Sequence, residues 1–172
     1  LSGGDCRARE VPGHSSAFAV GNRPGRIRAQ APDLRQAHAV AVDLLAPDAV
    51  ERIASTVEAK GLPLDAIVNN AGQGLWGLFQ DLTLEEQHRM MRLNMDLPVM
   101  LTHRLLPLLR RRPDTYILNI ASMVAYHALA SMAVYSGSKA FVLRWSRSLR
   151  MELKGTGVKV TCVCPGSVIT GF

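Results

Sequence analysis

Apolar and polar positions alternate along this chain in two distinct rhythms. Short apolar runs occupy Ala17 to Val20, Ala39 to Val42, Ala66 to Val68, Tyr116 to Ile120 and Val158 to Cys164. Each is closed by turn-forming or polar residues: Gly21-Asn22, Asp43, Asn69-Asn70-Ala71-Gly72, Ser122 and Pro165-Gly166. These runs predict buried strands. Between them lie helical patterns. One runs from about Pro47 to Lys60, with Pro47 near its start, Asp48 and Glu51 in the first turn and Gly61 as its stop. Thr83 followed by Glu86 reads as a capping box that opens another. A third, from about Pro98 to Arg112, carries Leu101, Leu105, Leu106 and Leu109 at helical spacing, and a long one covers about Val134 to Lys154. Strand and helix in alternation predict an α/β domain with a doubly wound parallel sheet. Ligands of such sheets bind at the carboxyl ends of the strands, where the polar and glycine signals of this chain collect.

Composition changes that picture little. The chain has 172 residues, 48% hydrophobic and 20% charged, which suits one globular domain. The net charge of +6 invites a nucleic-acid reading, but the dense basic run, Arg110 to Arg112, closes a predicted helix, where cations complement the macrodipole. Aromatics make up only 5% and do not interleave with basic residues, so no nucleic-acid partner is expected. Cys162 and Cys164 read as buried thiols of a reducing compartment, and no cluster has metal-ligand spacing. The longest apolar stretch, Leu97 to Leu109, is broken by His103 and Arg104, so no membrane span is expected. With no signal-like opening, the expected location is cytoplasmic.

The candidate chemistry centres on Tyr135 and Lys139, one helical turn apart and on one face. A phenol with a pKa near 10 is a poor acid–base group at neutral pH. An ammonium about 4 Å away, at an effective dielectric of about 20, contributes on the order of 4 kcal/mol, or roughly three pKa units before desolvation is subtracted. Alone, Tyr-x-x-x-Lys is common in helices. Here it follows Ser122, just past a strand end, and Asn94, on the helix after the Asn-Asn-Ala-Gly turn.

In order and spacing, Asn69-Asn70-Ala71-Gly72, Asn94, Ser122, Tyr135, Lys139 and Pro165-Gly166 resemble the short-chain dehydrogenase/reductase family, from about Ala17 onward. The resemblance implies a Rossmann-type fold in a single domain over residues 1–172, the first sixteen being atypical. It implies an NAD(P)-dependent oxidoreductase that passes a hydride between a nicotinamide cofactor and a secondary alcohol or ketone. Tyr135 would be the general acid–base, Ser122 would bond the substrate oxygen, Lys139 would lower the Tyr135 pKa and hold the nicotinamide ribose, and Asn94 would support a water of a proton relay. Asn69, Ala71 and Gly72 would lie against the adenosine half of the cofactor, and Asp43 would meet the adenine. Pro165, Gly166, Val168 and Thr170 would flank the nicotinamide. Asn22 and Arg23, after the Ala17 to Val20 strand, offer a cation and no acid to the adenosine ribose, which favours NADP(H) over NAD(H). A homodimer or homotetramer through the helices around Pro98 to Arg112 and Val134 to Lys154 is also implied.

The resemblance stops short at both ends. The family's opening strand and its glycine-rich turn have no counterpart in Leu1 to Ser16, where Gly3, Gly4 and Gly13 stand at other spacings. The expectation is therefore a sheet lacking its first and C-terminal strands, with two interior edges left without a partner. Three alternatives stay open: a non-catalytic dinucleotide-binding relative, an inactive fragment, and a sugar-nucleotide epimerase or dehydratase, which shares Tyr-x-x-x-Lys.

Overall fold

A computed structural model describes residues 16–21, 36–61 and 63–166. The chain divides into two compact units, Leu1–Ala41 and Val42–Phe172. In the first, β1 (Ser16–Gly21) pairs in parallel with β2 (Gln36–Ala41), Ser16 opposite Gln36 and Gly21 opposite Ala41. In the second, β3 (Ala66–Asn69), β4 (Thr115–Ile120) and β5 (Val158–Val163) form a parallel sheet in the order β3-β4-β5. Each unit thus contributes its own parallel sheet among the described residues. The fold is of the Rossmann α/β type.

Among the described residues, four α-helices belong to the second unit: α1 (Ala49–Ala59), α2 (Leu84–Met91), α3 (Leu97–Leu109) and α4 (Ala133–Glu152). The crossovers from β3 to β4 and from β4 to β5 contain α3 and α4, and connections of the usual right hand put both helices on one face of a parallel sheet. Strand residues alternate accordingly. Ile67, Ile117, Val158 and Val160 are buried in one cluster with Ala54 of α1, Leu105 and Leu109 of α3, and Leu153. Val68, Tyr116 and Val163 point the other way and are exposed. The second helical layer expected of a doubly wound sheet is not found among the described residues. Arg104 of α3 bridges Glu51 and Glu58 of α1, at 2.9 and 2.8 Å, and so fixes how those two helices lie together. At an exposed site such pairs contribute little energy.

Two features depart from a plain helix-and-strand reading. First, the helix expected from Pro98 is continuous with the one opened by Thr83. The capping box is present: Thr83 Oγ1 accepts from Glu86 N, and Glu86 Oε2 accepts from Thr83 N at 3.0 Å. Between α2 and α3 the chain widens into a π-turn, Arg92–Asp96, with Leu97 N donating to Arg92 O. Pro98 explains it. It has no N–H for the carbonyl four residues back, and its ring would crowd that carbonyl in a regular α-turn. The wider turn accommodates both problems without breaking the helix.

Second, the sheet is crossed by a buried chain of polar side chains. Asn69 Nδ2 donates to Thr102 Oγ1 at 3.0 Å and to Asn119 Oδ1 at 2.7 Å. Asn119 Nδ2 donates to Ser146 Oγ at 2.8 Å, which in turn donates to Val142 O. Thus α3, β3, β4 and α4 are locked in one register by hydrogen bonds shielded from water. Asn119 is fully buried, so Asn119→Ala strands a donor on Asn69 and an acceptor on Ser146. The expected cost is about 2–4 kcal/mol in urea unfolding. A loss under about 0.5 kcal/mol, typical of a surface site, would show that the chain of bonds is dispensable.

Candidate active site

Tyr135 and Lys139 lie in the first two turns of α4. Lys139 is buried, and its ammonium donates to the carbonyl of Ile120, the last residue of β4, at 3.0 Å. It sits 5.9 Å from the centre of the Tyr135 ring. Among the described residues its hydrogen bond thus goes to a strand-end carbonyl rather than to the phenol, a partner that sequence spacing could not reveal. Burial pushes the Lys139 pKa below its usual value, with Cys162 of β5 acting in the opposite sense. An ammonium has three N–H donors, and one is used here, which leaves two for a ligand at the strand ends.

Ser122 stands two residues past β4 in extended conformation and caps a short 3-10 helix, Met123–Tyr126. Its hydroxyl oxygen accepts from Val124 N at 3.3 Å, so its proton is free to donate elsewhere. Met123 N donates to Pro165 O at 2.9 Å and ties this turn to the segment after β5. A Cβ at Gly166 would meet Met123 Sδ at 3.2 Å, so the two turns touch closely there. Ser122, Pro165 and Gly166 are in this way brought together at the carboxyl ends of β4 and β5.

Asn94 projects from the π-turn and is almost fully buried. Its Oδ1 accepts from Gln73 N at 2.9 Å, and its Nδ2 donates to Gln73 O at 2.9 Å and to Ser138 Oγ at 3.0 Å. The amide therefore pins the turn after β3 to the start of α4. A Cβ on Gly72 would lie 3.2 Å from Asn94 Oδ1 and 3.3 Å from Lys139 Nζ. The missing side chain of Gly72 makes room for these two groups. Gly74 lies against the Tyr135 ring, 3.7 Å from the place its Cβ would take.

Asn69 occupies the end of β3, but its amide is spent on Thr102 and Asn119 within the sheet. Ala71 is exposed in the turn. Asp43 is exposed beyond β2, and its Oδ1 accepts from Leu45 N at 3.1 Å. Asn22, Arg23, Val168 and Thr170 lie outside the described residues. Sequence reasoning missed Ser138 and Gln87. Ser138 is a small buried residue beside Lys139 that receives Asn94. Gln87 donates through Nε2 to Phe79 O at 3.2 Å and Leu82 O at 3.0 Å, which holds up the loop that ends at the capping box. Its position on the inward face of α2, in an otherwise charged stretch, was the available signal.

Asn94, Ser122, Tyr135 and Lys139 thus gather from a π-turn, a strand end and the first turns of one helix. Comparison with known proteins bears on what such a gathering means. The chain is 34% identical over 155 residues to serine 3-dehydrogenase of Agrobacterium fabrum, covering 89% of this chain and 62% of that protein. It is 37% identical over 142 residues to 1-deoxy-11-beta-hydroxypentalenate dehydrogenase of Streptomyces exfoliatus, covering 78% of this chain and 50% of that protein. A short-chain dehydrogenase from Sphingobium yanoikuyae, solved in complex with NADPH, superposes with a TM-score of 0.79 at 27% identity, over 88% of this chain and 61% of that one. The chain therefore spans less than two thirds of the length of these relatives. The match to the short chain dehydrogenase family itself extends over residues 14–172, nearly the whole sequence. The chain belongs to the short chain dehydrogenase family.

Proposed function

We propose that this chain carries the catalytic half of an NAD(P)(H)-dependent oxidoreductase acting on a secondary alcohol or ketone. The observation that carries the reading is Lys139: a buried ammonium at the strand ends, with one protein acceptor and a glycine beside it in place of a side chain. Burying a lysine costs stability unless its spare donors find acceptors. The two hydroxyls of a nicotinamide ribose are acceptors of the right kind. The bound cofactor would supply the hydride.

The protein's own groups do the rest. Tyr135 moves the proton: it gives one to the substrate oxygen as a carbonyl is reduced and takes one back in the other direction. Ser122, whose hydroxyl proton is unspent, donates to the same oxygen and stabilises the charge that grows there. Asn94 positions these groups by fixing the Gln73 peptide and Ser138. Pro165 and Gly166, with Val168 and Thr170, would hold the nicotinamide ring, while Asn69, Ala71, Gly72 and Asp43 would border the adenosine. Asn22 and Arg23 favour NADP(H) over NAD(H), and binding of NADPH by a structural relative supports that preference.

Both compact units would form one nucleotide-binding domain, the protein would be a cytoplasmic homodimer or homotetramer, and the free thiols of Cys162 and Cys164 suit a reducing compartment. The described helices include none long and apolar enough to cross a membrane. The relatives' substrates differ, serine in one and 1-deoxy-11-beta-hydroxypentalenate in the other.

The second reading is a chain that does not use its catalytic groups. Fluorescence titration of the purified chain with NADPH and NADH separates the two readings. Saturable binding, tighter for NADPH, supports the oxidoreductase. Binding of neither nucleotide supports the second reading.

A further inference from the structure

One turn of the chain reaches both of the segments expected to border the adenosine. The π-turn Arg92–Asp96 carries Asn94, whose amide grips Gln73 after β3, and Arg92, whose Nη2 donates to Leu45 O after β2 at 2.8 Å. Residues two apart on a helical turn leave it on different sides, so the two grips do not compete. Arg92 and Leu45 are both half-buried and belong to the same compact unit, Val42–Phe172.

The segment that Arg92 holds is a tight turn built on Asp43. Asp43 O accepts from Ala46 N at 3.0 Å, and Asp43 Oδ1 accepts from Leu45 N at 3.1 Å. Bonds of this local kind set the shape of the backbone. They do not set where the turn stands against the strand ends. Among the described residues, the bond from Arg92 is the side-chain hydrogen bond that ties this turn to another element, across 47 positions of sequence. Its donor is charged, which places it among the stronger hydrogen bonds. Leu45 is thereby held from both sides, its N–H by the Asp43 carboxylate and its C=O by the Arg92 guanidinium. The same contacts fix where the Asp43 carboxylate points.

We propose that Arg92 is a positioning residue for the adenosine half of the cofactor. It acts through Leu45 and the Asp43 turn and does not itself touch the nucleotide. This rests on the oxidoreductase reading above, in which Asp43 borders the adenosine, and adds a residue to that site. Without the guanidinium the turn keeps its internal bonds and loses its placement, so the nucleotide must order it on binding. The effect falls on nucleotide affinity rather than on the chemical step at Tyr135.

The test uses the full chain, titrated with NADPH by nicotinamide fluorescence and with 2′,5′-ADP, the adenosine half alone, as competitor. Arg92→Met keeps the apolar stem and removes the donors. It should raise Kd for both ligands by the same factor, about tenfold, while kcat for ketone reduction at saturating NADPH stays within about twofold of wild type. Arg92→Lys, a cation on a shorter stem without the planar fork, should fall between, at about threefold. In Asp43→Ala, where the turn is already loosened, Arg92→Met should add no more than about twofold. Full additivity there would make Arg92 a direct ligand and overturn the proposal. An unchanged Kd with a lower urea midpoint, a loss confined to kcat, or weaker NADPH with unchanged 2′,5′-ADP also overturns it, and each leaves the oxidoreductase reading intact. If Arg92→Met does not fold, Arg92→Lys decides alone: a Kd raised for both ligands upholds the role and a wild-type Kd overturns it. Binding that depends on Arg92 in a chain that reduces no ketone upholds the role while the oxidoreductase reading fails. A wild-type chain that binds neither ligand overturns both.

Discussion

Tyr135→Phe should reduce turnover by about 10²–10⁴-fold, the range that one positioned general acid–base supplies, while nucleotide affinity changes by no more than about twofold. The substitution removes one oxygen and keeps the ring that packs on Gly74, so the fold should be indifferent to it. The separation of effects is what identifies a proton-transfer role. Ser122 and Lys139 remain in place to hold the substrate oxygen and the cofactor. Water would have to carry the proton in place of the phenol. The measurement is steady-state ketone reduction beside nucleotide fluorescence titration. Equal losses in affinity and turnover would make Tyr135 a binding residue only.

Lys139→Met should lower turnover by about a hundredfold or more, yet leave the chain at least as stable as wild type near neutral pH. Burial holds the Lys139 pKa below its ordinary value, so the folded chain grips that proton less tightly than the unfolded chain does. Between its folded pKa and the ordinary value of about 10.4, the unfolded state binds more protons, and wild-type stability rises with pH through that window. The methionine variant lacks this slope. Its advantage should therefore shrink as pH climbs toward the ordinary value, since the wild-type lysine is then neutral in both states. Loss of the donor to Ile120 O offsets part of the gain, by about 1 kcal/mol. Lys159, paired with Asp114, titrates upward in both proteins and cancels in the difference. Urea unfolding across the alkaline range checks the sign. A gap that widens with pH would mean that the buried ammonium stabilises the fold. A stabilising change that abolishes function is the expected mark of a group kept for chemistry.

Much of the architecture was legible because local signals agreed with it. Thr83 and Glu86 form the capping box their spacing announces, and Gly61 ends α1 with a φ of 60°. The strands at Ala66, Thr115 and Val158 fall within a residue or two of the apolar runs. The sequence was silent where distant partners decide the outcome. Pro98 looks like a helix start, but its missing N–H is absorbed by a π-turn inside one long helix. Asn69 and Gly72 carry contacts that their motif does not announce: Asn69 serves the buried ladder through Asn119, and Gly72 leaves space for Asn94 and Lys139. Lys139 could be paired with Tyr135 by helical spacing. Its bond to Ile120 depends on where β4 ends beneath α4, and no local pattern encodes that.

The most direct measurement is isotope transfer. The purified chain is incubated with a simple cyclic ketone and NADPH bearing deuterium at both positions of the transferring nicotinamide carbon, and the alcohol is examined by mass spectrometry. One deuterium per product molecule is expected with wild type, at a rate strongly reduced in Tyr135→Phe. Nucleotide that binds but never passes its deuterium to a ketone would contradict the assignment of Ser122, Tyr135 and Lys139 to hydride-transfer chemistry.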